Sequence, residues 1–153
     1  MRPTYETHAN WQNQEAVRNR IMETSGSSLD VFMTPKYYPW DYLFFERGQA
    51  VACGEYKRRH VTYAQLETWN GFRLSYNKYE SGLRFCDHTG LGFWLFVELN
   101  SEFDDGTELY KCAFSNRSNR VQIGIIGRFD RNDPQDKEPC VVIPMNKFTR
   151  MDL

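Results

Sequence analysis

Eight consecutive residues, Gly92-Phe-Trp-Leu-Phe-Val-Glu-Leu99, make a near-continuous apolar run. A strand with one face in water alternates apolar and polar residues, so an unbroken run is typical of a central strand buried on both faces. The flanking sequence supplies the other layers. Residues from about Thr7 to Thr24 are polar, free of Pro and Gly, and read as a helix with Thr7 at its N-cap and Ala9, Ala16, Val17 and Ile21 as its core face. After the break Ser25-Gly-Ser-Ser28, Leu29 to Met33 is a short strand ended by Thr34-Pro35. Asp41–Glu46 and Ala50–Lys57 are strand-like runs around Arg47-Gly48, which predicts an antiparallel hairpin.

Thr62-x-x-Gln65 resembles a capping box, opening a short helix that ends near Asn70-Gly71. Ser75 is the expected N-cap of a longer helix to about Asp87. Further strands are expected at Glu108–Phe114, Val121–Ile126 and Cys140–Pro144, with a polar loop from Arg128 to Pro139. The order α, several β, α, then β indicates an α/β (α+β) domain with one mixed sheet and helices packed on it. At 153 residues the chain fits a single domain, 1–153, with a real core.

Several classes of chemistry have no support. Cys53, Cys86, Cys112 and Cys140 lack any Cys-x-x-Cys spacing and are expected as buried, reduced thiols. His8, His60 and His88 have no metal-ligand spacing, and there is neither a Gly-x-x-x-x-Gly-Lys loop nor a Gly-x-Ser-x-Gly elbow. No run approaches the length of a membrane span and the N-terminus has no signal-peptide pattern, so the expectation is a soluble, cytoplasmic protein with no membrane partner.

The informative residues are Asp41, Glu55 and Lys57. Glu55 and Lys57 stand two apart on one strand and project from the same face, where Val, Ile and aromatics would be the usual choice. If Gly48 closes a three-residue loop, Asp41 faces Cys53 and lies diagonal to Glu55, sharing its face at roughly 5–8 Å between Cβ atoms. A slip of one residue would turn Asp41 to the opposite face. Two carboxylates so close repel unless something positive lies between them. A hard divalent cation, Mg²⁺ or Mn²⁺, is the candidate, because such ions take oxygen ligands and keep several waters. Lys57 beside it can orient a water or neutralise a phosphoryl oxygen, which suits metal-assisted attack of water on a phosphodiester.

At these residues the sequence resembles the PD-(D/E)XK nuclease superfamily, closest to its short, phage-type members. Pro39-Trp40-Asp41 is followed after thirteen residues by Glu55-Tyr56-Lys57. The similarity continues through Ser75-Tyr-Asn-Lys78-Tyr, Leu83-Arg-Phe and Arg131-Asn-Asp-Pro-Gln-Asp-Lys-Glu-Pro139. One departure is Trp40, inserted where the motif's name has Pro-Asp. The resemblance implies a restriction-endonuclease-like core, a central mixed β-sheet flanked by helices, and a magnesium-dependent endonuclease acting on DNA (in the host cytoplasm, if phage-encoded). Asp41 and Glu55 would be metal ligands, Lys57 the third catalytic group, and Glu15 on the first helix a further metal ligand. Whether the DNA is branched, single-stranded or duplex is left open, as is a homodimer.

Candidate DNA contacts surround this centre. Arg59 points the same way as Glu55 and Lys57, while Arg58 and His60 point the other way. Lys78 lies in the first turn of its helix, where the dipole disfavours a cation, so its presence suggests a role near phosphate or the site carboxylates. Arg117 and Arg120 sit in the polar turn Ser115-Asn-Arg-Ser-Asn-Arg, suited to phosphate contacts that position DNA without reading its sequence. Tyr37, Tyr38 and Trp40 are either a stacking platform for bases or packing under the first helix, the latter favoured. Phe93, Trp94 and Phe96 are core.

A net charge of −1 gives no overall basic excess. Its distribution matters more: residues 61–110 carry 3 basic and 8 acidic side chains, whereas 111–153 carry 8 and 5. That pattern argues for a localised DNA footprint and weak non-specific affinity. The same residues also fit a nucleic-acid-binding module that keeps the fold without catalysis, or an interaction protein in which Glu55 and Lys57 are a surface ion pair.

Overall fold

The Gly92–Leu99 run is the middle of a central strand. The computed structural model describes residues 8–26, 28–100, 107–114, 121–127 and 137–151. Their elements are α1 (His8–Thr24), β1 (Leu29–Met33), β2 (Tyr42–Glu46), β3 (Gln49–Arg59), α2 (Tyr63–Thr68), β4 (Phe72–Ser75), α3 (Tyr76–Thr89), β5 (Gly92–Asn100), β6 (Thr107–Phe114), β7 (Gln122–Gly127), β8 (Lys137–Ile143), a 3₁₀ turn at Met145–Lys147, and β9 (Thr149–Arg150). The main sheet has the order β1-β2-β3-β5-β6-β9. It is mixed: β5 runs parallel to β3 and antiparallel to β6.

Alternation along β5 divides the core in two. Phe93, Leu95, Val97 and Leu99 join a cluster with α3 (Tyr79, Leu83, Cys86) and with Leu74, Val141 and Ile143. Phe96 faces the other way, toward Val17 and Ile21 of α1 and Tyr42 and Phe44 of β2. Two facing layers explain why polar residues are nearly absent from this strand. The exception, Glu98, is only 6% exposed, and its carboxylate takes the Tyr56 hydroxyl at 2.7 Å and Arg20 Nη1 at 2.9 Å.

The structure departs from the sequence-based expectation in three places. The second layer is not made of helices alone: β4-β8-β7 form a separate three-stranded antiparallel sheet, and the Phe72-Arg-Leu-Ser75 strand was hidden between two helix signals. On α1, Val17 and Ile21 are buried as expected, but Ala9 and Ala16 are exposed and Gln14 takes the remaining place on the buried stripe. Tyr37 and Tyr38 do not pack under α1 but are exposed, and Trp40 packs edge-on against Phe85 of α3.

Other expectations hold. Thr62 and Gln65 form the reciprocal capping box, and Ser75 is the residue before α3, without a side-chain cap bond. All four cysteines are buried and free. Among the described residues no helix is long and apolar enough to cross a membrane. Arg117, Arg120, Arg128 and Arg131 lie outside the described residues.

Candidate active site

The β2–β3 hairpin decides whether Asp41 and Glu55 share a face. The connection is a two-residue turn, with both Arg47 (φ 51°) and Gly48 (φ 79°) left-handed, as a type I′ turn requires. That turn alone would set Asp41 opposite Gly54 and aim it away from Glu55. A bulge corrects the register: Phe45 pairs with Ala50 but Phe44 pairs with Ala52, leaving Val51 as the extra residue. Beyond it Tyr42 pairs with Gly54, so the next position, Asp41, comes opposite Glu55 rather than Cys53. The shared face survives, reached by a different loop and a bulge.

Asp41 is fixed on both sides by backbone. Its N–H donates to Gly54 O at 2.9 Å, and its C=O accepts the Thr34 N–H at 2.9 Å. Asp41 Oδ2 accepts the Tyr56 N–H at 2.8 Å, and Oδ1 accepts a long bond from Gln14 Nε2 at 3.4 Å. Burial, and then the Glu55 carboxylate, push the Asp41 carboxyl up to about 7.

Glu55 is 2% exposed. Its Oε1 is 2.9 Å from Lys57 Nζ and 3.6 Å from Lys78 Nζ, so both cations address one oxygen. The other, Oε2, is buried without a hydrogen-bond partner among the described residues. Glu55, more than any other group, raises the Lys57 pKa above its ordinary value and holds the ammonium charged. Lys78 also donates to Pro39 O at 2.9 Å, tying the start of α3 to the segment leading into Asp41.

The donor set fits a hard cation. Both lysines address Oε1, so the buried Oε2, next to the Asp41 carboxyl, leaves two oxygen-bearing groups with a lone pair to offer such an ion. Its acids number two. Glu15 does not join them: its carboxylate is half exposed and pairs with Arg18 at 3.5 Å, whereas Gln14 reaches Asp41 from the same helix. Among the described residues no group of three or more His, Cys, Asp or Glu is placed to hold a metal. Gln14 is therefore the site residue that charge-based reading missed. Its signal was a polar side chain three residues before Val17 and seven before Ile21, on the stripe that faces the core.

A family model described as "phage putative PDDEXK endonuclease" matches residues 1–151. The chain belongs to this family. No curated protein matches it, and no solved structure does. In this chain Asp41, just before β2, comes opposite Glu55 of β3 and shares a face with Glu55 and Lys57. Lys78 from α3 joins them, and Arg59 follows on the same face of β3.

Proposed function

We propose that this member of the PDDEXK endonuclease family is a Mg²⁺- or Mn²⁺-dependent deoxyribonuclease that cuts a phosphodiester by direct attack of water. The observation carrying this reading is the partnerless, buried Oε2 of Glu55 beside the Asp41 carboxyl. Asp41 and Glu55 would hold the ion, with Gln14 next to Asp41. A divalent ion held there supplies positive charge to the phosphoryl oxygens and makes water more acidic.

The chain's own groups do the positioning. Asp41 is clamped by the Tyr56 N–H and does not need to reorganise when substrate arrives. Lys57 keeps part of its side chain exposed and its ammonium charged, so it can orient the attacking water or meet the charge that builds on a phosphoryl oxygen. The new P–O bond forms to the water oxygen, one ester P–O bond breaks, and a proton ends on the departing deoxyribose oxygen. No covalent link to the enzyme forms. Exposed Tyr37 and Tyr38, just before Asp41, offer rings on which bases can stack, and Arg117 and Arg120 are candidates for backbone contacts.

The test incubates the protein with circular single-stranded, duplex and branched DNA, in Mg²⁺, Mn²⁺ or chelator. Cleavage should need the ion and be lost in Glu55→Ala and Lys57→Ala. Cutting of a circle establishes endonuclease action. DNA binding without cutting, unaffected by Glu55→Ala and by chelator, would favour the non-catalytic binding module, and equal cutting by parent and both variants would end the proposal.

A further inference from the structure

Glu55, Lys57 and Arg59 follow one another on the same face of β3, and Arg59 opens onto a second concave feature. It is a cavity of about 150 Å³ lined by Arg59, Val61, Leu66, Trp69, Phe72 and Arg73, among others. That is roughly the volume at which an apolar protein cavity takes up one aromatic ring. The Arg59 guanidinium rests over the Phe72 ring, 5.4 Å from its centroid, and donates to Arg58 O at 2.9 Å. Neither Arg59 nor Arg73 pairs with a carboxylate among the described residues. Two arginines lining one largely apolar cavity, with no acid among its described lining residues, bring positive charge that suits an anion.

The aromatic part is held as firmly. Trp69 caps the C-terminus of α2, its N–H bonded to Gln65 O at 3.1 Å, yet its side chain stays 48% exposed. The chain then reverses through Asn70 (φ 67°) and Gly71 (φ 134°), where any Cβ would lie 2.2 Å from Ile143 O. Only glycine makes that turn, and the turn delivers Trp69 and Phe72 to the same cavity. A half-exposed indole beside an apolar slot lined by two arginines, neither paired with a carboxylate among the described residues, combines a stacking surface with positive charge for a phosphate.

We propose that this cavity is a nucleotide subsite: it takes one nucleotide of the bound DNA strand, with the base stacked on Trp69 and a phosphate between Arg59 and Arg73. Glu55 and Arg59 are four residues apart, roughly 13 Å along the strand. A strand crossing the carboxylate pair therefore reaches the cavity a few nucleotides from the phosphate that is cut. The inference rests on the nuclease reading for that geometry, but its test needs no cleavage.

The probe is a fluorescein-labelled single-stranded oligodeoxynucleotide, titrated in chelator and followed by anisotropy. Trp69→Ala and Arg73→Ala should each weaken binding by about tenfold, Trp69→Phe should keep most of the affinity, and Arg84→Ala on the exposed face of α3 should bind as the parent does. An oligonucleotide lacking one base should show the same loss with the parent at one position along the strand, and no further loss with Trp69→Ala. Unchanged binding by Trp69→Ala, an abasic effect that persists in it, or no binding by the parent overturns the subsite. Cleavage assays separate the two ideas. Parent that cuts DNA while Trp69→Ala binds normally sinks only the subsite, whereas binding losses in a protein that never cuts sustain the subsite and sink the nuclease.

Discussion

Asp41 Oδ2 accepts the backbone N–H of Tyr56 at 2.8 Å, so the carboxylate is fastened to the peptide between Glu55 and Lys57. This bond lowers the Asp41 pKa, yet burial and the Glu55 charge outweigh it and leave the group near 7. The folded chain thus keeps a proton on Asp41 that the unfolded chain loses near pH 4. Stability contributed by that proton is whole below about pH 4 and is lost as pH rises through 7. In chelator, the parent should lose a few kcal/mol between about pH 5 and pH 8, at up to about 1.4 kcal/mol per pH unit from this group alone. Asp41→Asn should show a flatter profile, and Mg²⁺ should restore the parent at the alkaline end. Denaturant unfolding at several pH values checks this, and identical slopes for parent and variant would reject the assignment.

Lys57 and Lys78 both lie against Oε1 of Glu55, but at different distances, 2.9 and 3.6 Å. Removing Lys57 should reduce cleavage by about 10²–10³-fold. It should leave divalent-ion affinity equal or tighter, because a competing cation beside two carboxylates has gone. Lys78→Ala should cost about tenfold in cleavage, through a looser Pro39–Asp41 segment as much as through charge. Calorimetric titration with Mn²⁺ alongside cleavage rates separates the two effects. Loss of Mn²⁺ binding in Lys57→Ala would show that the lysine holds the site together rather than acting on substrate.

The main lines of fold and site were legible because each rested on a periodicity with one physical solution. The Gly92–Leu99 run needed two covering layers, and Glu55-x-Lys57 had to share a face. What escaped was held by tertiary context. Nothing in Ala50-Val51-Ala52 marks Val51 as a bulge, although without it Asp41 would aim away from Glu55. The strand Phe72–Ser75 is four residues long, wedged between a helix end and an N-cap, too short for alternation to announce it. On α1 the charge of Glu15 drew attention from the uncharged Gln14, whose place on the buried stripe was the stronger sign.

That last contrast is testable on one helix. Glu15→Ala should leave cleavage and metal dependence within about twofold of the parent, since its partner Arg18 is one turn away on an exposed face. Gln14→Ala should lower cleavage by about tenfold, having removed the side chain that meets Asp41 Oδ1. Gln14→Glu should tighten Mn²⁺ binding by adding a third carboxylate. The reverse order, with Glu15→Ala the damaging change, would mean that α1 sits differently when substrate is bound.

Tyr56 also faces away from the site, and there its hydroxyl meets the second buried acid of the sheet, Glu98, at 2.7 Å. Arg20 of α1 pairs with the same carboxylate at 2.9 Å, and Arg58 Nε lies 3.7 Å from it. Glu98 thus ties α1 to β3 and β5, on the face opposite Glu55. Two buried acids in neighbouring strands should therefore fail differently when changed. Glu98→Gln should destabilise the fold by about 1–3 kcal/mol, because a charged hydrogen-bond acceptor with several partners is lost. Once folded, that variant should bind Mn²⁺ and cut DNA at nearly the parental rate. Tyr56→Phe should cost about 1 kcal/mol while leaving the Asp41 bond to the Tyr56 N–H intact. Denaturant melts and cleavage rates measured together decide it: an unmelted Glu98→Gln that no longer cuts would move Glu98 from the frame of the molecule to its chemistry.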